Sequence, residues 1–168
     1  MSVVRFDIIK MLREVAETTR VLLGSKPVDV EVVAHEGPVY IVSDAIMVRQ
    51  ILTNLASNTA KFTEVGKILF ALAESSGAFK IAVDDTGRGI REEDLDKLFV
   101  AFGQIEDAKT KRHEGTGLGL TITKNLLELL GGTVSVSSRF GTGTKFEIFL
   151  PRNRSTPTGR EDTVISGI

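Results

Sequence analysis

Two carboxamides and an ammonium, Asn54, Asn58 and Lys61, stand at i, i+4 and i+7. On a helix that spacing puts them in one row. The row borders an apolar stripe of Val48, Ile51, Leu52 and Leu55, itself at spacings of three and four. Polar heads held where a packed helix meets solvent suit the edge of a wet pocket, although Asn54 or Lys61 alone would equally fit a solvated helix margin. Downstream, Asp85-Thr-Gly-Arg-Gly89-Ile90 follows the apolar run 81–83, so its carboxylate stands at a strand end with two glycines behind it. Alone, that arrangement makes a turn as readily as it frames a ligand. Gly115-Thr116-Gly117-Leu118-Gly119-Leu120 opens a helical pattern. Its glycines let backbone N–H groups approach an anion, and the helix adds its free N-terminal donors. Lys109, Lys111 and Arg112, just before it, could close over phosphates. Gly141-Thr-Gly-Thr144 is the last such cluster.

The glycine run is no Walker A loop, because no Lys-Ser/Thr pair follows its last glycine. It is no dinucleotide fingerprint either: its glycines alternate, and a charged segment precedes it where a strand should be. The absence of cysteine excludes disulfides, thiolate metal sites and cysteine nucleophiles, and the two histidines, His35 and His113, lie too far apart to suggest a metal site. Net charge is −1, from 21 basic and 22 acidic residues, which gives no reason to expect a nucleic-acid or anionic-membrane surface. No apolar run approaches the ~20 residues of a membrane span, and the N-terminus is no signal peptide. The chain reads as cytoplasmic and monomeric, with any membrane anchor of its parent lying outside it.

In order and spacing, the 49–62 segment, the 85–90 loop, Leu98-Phe-Val-Ala-Phe-Gly-Gln104, the 115–120 run and the late glycine turn resemble the nucleotide-site boxes (N, G1, F and G2) of the catalytic ATP-binding domain of sensor histidine kinases. The resemblance covers the chain from about Arg5 to Pro151. It implies the Bergerat fold shared with gyrase, mismatch-repair ATPases and heat-shock chaperones of the ninety-kilodalton class, with ATP and Mg²⁺ as ligands. Asp85 would accept a hydrogen bond from the exocyclic amine of adenine, selecting it over guanine, which presents a carbonyl there. Gly87 and Gly89 would leave space for the ring, with Ile90 among the contacts, and Thr144 would support Asp85 through water. Asn58 would ligate Mg²⁺, which retains several waters and takes further oxygens from phosphates. Lys61 would pair with a phosphate, and Phe62 would pack near the base. Residues 105–114 would form a mobile ATP lid carrying Lys111 and Arg112, with Gly115, Thr116, Gly117, Leu118, Gly119 and Leu120 lining its hinge.

Asn54 stands where gyrase-like ATPases carry a water-activating glutamate. An amide cannot take a proton at neutral pH. ATP would then be held without rapid hydrolysis, and transfer by Asn54, Asn58 and Lys61 would rest on placement and charge neutralisation.

Asp7 can cap a helix running to about Leu23, with Ile8, Met11, Leu12, Val15 and Leu22 on one face. Residues 28–34 and 39–42 read as strands about the turn His35-Glu-Gly-Pro38. Ser43 or Asp44 caps the helix that carries the amide row. Segments 67–73 and 78–83 read as paired strands, and 94–99 as a brief helix. The 118–130 pattern predicts a helix with Ile122, Leu126, Leu129 and Leu130 inward, stopped by Gly131-Gly132. Segments 133–137 and 144–150 close a hairpin. Strands and helices mixed without β-α-β alternation predict an α+β, two-layer sandwich: one mixed sheet with helices on a single face. With 168 residues and 42% hydrophobic content the chain suits one domain, 1–151, followed by a polar tail, 152–168.

A full histidine kinase also carries a helical dimerisation domain with the phospho-accepting histidine and passes its phosphate to a response regulator. Nothing here matches that acceptor: His35 lies in a turn and His113 in the lid. The chain is therefore expected to be one catalytic part of a longer parent, whose histidine-bearing helical domain is its partner. Thr59, where relatives commonly place alanine, and Glu114, where they often place glycine, are its departures. Two rival readings stay open. A stand-alone serine kinase of the anti-sigma-factor type shares the fold, and the 98–104 element and the long opening helix argue against it. A nucleotide-binding module without catalysis is disfavoured by the intact set of Asn58, Asp85 and the 115–120 glycines.

Overall fold

The computed structural model describes residues 1–75, 77–99 and 119–152. In chain order the elements are β1 (Val3–Asp7), α1 (Ile8–Leu23), β2 (Val28–Val33), β3 (Tyr40–Asp44), α2 (Ala45–Phe62), β4 (Gly66–Ser75), β5 (Ala78–Asp85), α3 (Glu92–Leu95), α4 (Gly119–Leu129), β6 (Thr133–Arg139) and β7 (Gly143–Pro151).

Two aspartates set the long helices. Asp7 Oδ1 accepts from Ile9 N at 3.0 Å and Lys10 N at 3.3 Å, which satisfies free donors of α1. Of the two residues expected to cap α2, Asp44 does so, its Oδ1 taking Ile46 N and Met47 N at 3.1 Å each. These bonds, that to Met47 first, hold the Asp44 carboxyl below its ordinary pKa. Buried Ile8, Met11, Leu12, Val15, Ala16, Thr19 and Leu23 form the inner face of α1. Leu22, expected inward, is 55% exposed. The 16-19-23 spacing carries the stripe to Leu23, and Leu22 falls a hundred degrees away.

Five strands form a mixed sheet in the order β2-β4-β5-β7-β6, while β1 and β3 pair separately. The β2–β4 pair is parallel and the rest of the sheet antiparallel. One face alternates Ile68 and Phe70 on β4, Phe79, Ile81 and Val83 on β5, and Phe146, Ile148 and Leu150 on β7, all buried. α1 packs on α2 and α2 on α4, and this layer covers that face. The other face carries polar groups, with Glu147 paired to both Lys80 and Lys145. This is the two-layer α+β arrangement expected from the sequence. Each fully buried aromatic contributes roughly 1.5–3 kcal/mol. A core of this kind can hold a buried carboxylate at its margin.

Two further local expectations are corrected. The brief helix lies at Glu92–Leu95, not 94–99; Glu92, Glu93 and Asp94 occupy its first turn, where the helix dipole favours acids. On α4 the buried positions are Thr123 and Leu127, with Leu130 just beyond, whereas Ile122 is 41% and Leu129 55% exposed. The helix is turned by about one residue from the face its leucines suggested. Thr123 takes an inward place because its hydroxyl donates to Gly119 O at 2.9 Å.

Candidate functional site

The period of two along β5 decides where Asp85 points. Phe79, Ile81 and Val83 face the helices, so Asp85, next in the alternation, does too. It is 5% exposed. Gly87 N donates to its Oδ1 at 2.8 Å. Burial raises its pKa to about 6, against the pull of the Gly87 and Thr144 N–H groups and the Thr63 hydroxyl, while Asp84 adds to the rise.

Asp85 stands opposite Thr144 in the β5–β7 register. Ser138 Oγ donates to Gly143 O at 2.8 Å and receives Ile90 N at 2.8 Å. A serine hydroxyl has a single proton. In the 2.9 Å contact between Ser138 Oγ and Thr144 Oγ1, Thr144 is therefore the donor. Ser138 thus ties the Asp85 loop to the β6–β7 hairpin, and its place in a strand gave no sequence signal for that role.

The C-terminal end of α2 meets this loop. Arg88 N donates to Phe62 O at 3.4 Å, and the Arg88 guanidinium lies 4.7 Å from the Phe62 ring centre. Lys61 Nζ lies 5.5 Å from the same ring. Burial, then the nearby Arg88, lowers the pKa of Lys61. A cavity of about 230 Å³ opens among Lys61, Phe62, Thr86, Gly87 and Arg88. The loop fits there only with glycine. A Cβ on Gly87 would stand 2.6 Å from Phe62 O and 2.8 Å from Asp85 Oδ1. On Gly89, at φ +70°, it would stand 2.1 Å from Arg139 O.

Lys26, from the turn after α1, anchors the same helix end. Its Nζ donates to Ala60 O at 3.1 Å and Thr63 O at 3.3 Å, and pairs with Glu64 at 3.0 Å. A cation on the last carbonyls suits a helix C-terminus. No spacing rule would find it, since the partners lie 34 to 38 residues away. Thr59, the departure in the amide row, is buried with its hydroxyl on Ala56 O at 3.0 Å.

Farther up α2, Asn54 Nδ2 donates to Gly119 O at 3.2 Å and approaches Thr123 Oγ1 at 3.5 Å, while its Oδ1 accepts from Gln50 at 2.9 Å. Asn54 therefore clamps the start of α4, at the last glycine of the run, to α2. Leu120 packs against the core from that first turn. Asn58 lies half-buried between the two ends of the row. Lys61, Phe62, Asp85, Gly87, Gly89, Ile90 and Thr144 come together around one loop, and Asn54 meets Gly119 farther along the same helix. Lys109, Lys111, Arg112, Gly115, Thr116, Gly117 and Leu118 lie outside the described residues, as do Phe102, His113 and Glu114.

Among the described residues no three His, Cys, Asp or Glu side chains gather to hold a metal. Asn58 offers one neutral oxygen, which fits Mg²⁺ where phosphate oxygens and water complete the shell. No helix among the described residues is long and apolar enough to cross a membrane.

A family profile described as histidine kinase-, DNA gyrase B- and HSP90-like ATPase matches residues 43–154. Hybrid signal transduction histidine kinase B of Dictyostelium discoideum is 35% identical over 159 residues, 90% of this chain and 8% of its own. The sensor protein GacS of Pseudomonas syringae pv. syringae is 39% identical over 138 residues, 79% of this chain and 15% of its own. The chain thus spans a small part of these relatives. The crystal structure of full-length ShkA in complex with AMPPNP superposes with a TM-score of 0.81 at 31% identity, over 93% of this chain and 32% of that one.

Proposed function

The chain belongs to the histidine kinase-, DNA gyrase B- and HSP90-like ATPases, within their sensor histidine kinase branch, and from that premise we propose that it binds Mg²⁺-ATP and transfers the γ-phosphoryl group to a histidine on a separate helical dimerisation domain. The observation that carries this reading is the buried Asp85 carboxylate, aimed toward the α2 end that bears Asn58, Lys61 and Phe62. In it residues 1–151 are the catalytic domain and 152–168 a polar tail.

Asp85 accepts from the 6-amino group of adenine, and a buried acceptor there rejects the carbonyl of guanine. Gly87 and Gly89 let the loop pack against Phe62 O and Arg139 O beside the ring, Ile90 and Phe62 contact the ring, and Thr144 holds the adjoining water as an acceptor. Lys61 faces the phosphate tail. Asn58 holds the metal ion, which neutralises phosphate charge when bound. Lys111, Arg112 and the 115–118 residues are the remaining phosphate contacts in this reading, and Gly119 and Leu120 open α4. Asn54, bonded on both sides of its amide, fixes α4 and supplies no base, so bound ATP waits for its histidine acceptor and is not passed to water. The phosphate then moves on to a response regulator, in the cytoplasm.

Titration with ATP and GTP, with and without Mg²⁺, tests the binding half. Tighter ATP binding that depends on Mg²⁺ supports it, and equal affinity for the two purines overturns it. Mixing the protein with a histidine-bearing helical domain tests the transfer. An acid-labile phosphoprotein is expected, and an acid-stable product would point to a serine kinase instead.

A further inference from the structure

Three cations converge on the C-terminal end of α2. Lys26 takes the end itself, donating to Ala60 O and Thr63 O and pairing with Glu64. That satisfies a helix C-terminus, which favours a cation on its last carbonyls. Capping therefore does not account for the other two, Lys61 from the last turn of α2 and Arg88 from the loop after β5. Their charged heads lie 5.5 Å and 4.7 Å from the centre of one ring, that of Phe62. All three residues line the cavity of about 230 Å³. Glu64 lines it too and is paired with Lys26 at 3.0 Å.

Arg88 stands between Gly87 and Gly89, neither of which has room for a side chain. Its own main chain is held on both sides, its N–H on Phe62 O at 3.4 Å and its carbonyl taking Gly141 N at 2.6 Å. The backbone thus fixes the loop, and the guanidinium is not required for that. An arginine on a loop is free to extend into water. This one lies over the end of α2, where after burial it is the second cause that lowers the Lys61 pKa. Two like charges at close quarters repel, and an anion set against both reverses that cost. Their chemistry suits a phosphate: a guanidinium presents a planar fork of five N–H donors, and an ammonium a point charge on a long stem. Both side chains belong to partly exposed residues, so a ligand entering the cavity meets them.

We propose that Arg88 is a further phosphate-contacting residue, which with Lys61 grips the phosphate tail of the nucleotide whose base Asp85 reads. Phe62 seats both cations. This assignment rests on the nucleotide reading above and adds a binding residue to it.

Competition binding compares adenosine with ATP, each with Mg²⁺, on the wild type, Arg88→Gln and Arg88→Lys. Arg88→Gln should lose about ten- to a hundredfold in ATP affinity, the range of one hydrogen bond to a charged group, and change adenosine affinity by less than about twofold. Arg88→Lys, which keeps the charge and loses the fork, should recover part of the loss. Added salt should weaken ATP binding more steeply in the wild type than in Arg88→Gln. Equal losses for adenosine and ATP in Arg88→Gln would make the arginine a packing partner of Phe62 and overturn the assignment. Unchanged ATP affinity in that variant would overturn it while leaving the ATP reading intact. Failure of the wild type to bind ATP would remove both. Circular dichroism checks the fold of each variant, and Arg88→Met replaces Arg88→Gln should the glutamine unfold the domain.

Discussion

Asp85 and Thr144 face each other across the β5–β7 ladder, and both side chains point into the helix layer, at 5% and 7% exposure. A carboxylate is thereby held at the end of an otherwise apolar stripe, with few donors to satisfy it. Asp85→Asn keeps the shape and removes the charge. ATP affinity should fall about ten- to a hundredfold, since a hydrogen bond to a charged group contributes roughly 1.5–3 kcal/mol. The ligand-free domain should at the same time gain about 1–3 kcal/mol at neutral pH, because a pKa raised to about 6 marks a charge that folding disfavours. Calorimetric titration and thermal melts at pH 7.5 read the two effects. A variant that loses both stability and affinity would show that Asp85 is structural.

The same group sets a pH dependence. Asp85 has an ordinary value of 3.8 and a folded value of about 6. Between those values the folded chain binds more protons than the unfolded one, so its contribution to stability falls as pH rises through that window and is level above it. ATP needs the ionised form, so affinity should be flat above about pH 6.5 and fall by up to about tenfold per unit below 6. Binding measured from pH 5 to 8 should show this slope in the wild type and not in Asp85→Asn. Identical slopes in the two proteins would assign the effect elsewhere.

Much of this site was legible because local periods carry it. The alternation through Ile81 and Val83 sends Asp85 inward, and the three-four spacing of Val48, Ile51, Leu52 and Leu55 leaves Asn54, Asn58 and Lys61 on the margin. Where a helix face depends on what it packs against, composition misled: Ile122 and Leu129 lie outward because Thr123 and Leu127 meet α2 and the sheet. Lys26, Thr63 and Ser138 were illegible for a different reason. Each acts through a partner that only tertiary structure brings near, and none sits in a distinctive spacing.

Lys26 offers a test of how the helix end is held. It is 29% exposed by side chain and caps two carbonyls while pairing with Glu64. Lys26→Met keeps the aliphatic stem and removes the charge. A stability loss of about 1–2 kcal/mol in urea is expected, given charged hydrogen bonds and a helix C-terminus. Because Thr63 and Phe62 sit at that end, ATP affinity should drop as well, and Lys26→Arg should restore part of both. No change in either would mean that the lysine only decorates the helix.

Asn54 joins α2 to α4 through a donor, and Asn54→Asp reverses that end of the side chain. The carboxylate would face Gly119 O, an acceptor now 3.2 Å from Nδ2, with nothing to share but the Thr123 hydroxyl. That hydroxyl's proton is already given to Gly119 O at 2.9 Å. Two acceptors without a proton repel, and the first turn of α4 should lift from α2. The expected result is about 1 kcal/mol less stability, faster amide exchange confined to the start of α4, and slower phosphotransfer, since the glycine run enters α4 at this point. Asn54→Asp should not gain ATP hydrolysis, because this side chain is directed at the backbone of α4. If hydrolysis rose instead, Asn54 would have to face the γ-phosphate and its water, and its role as a clamp between the helices would have to be abandoned.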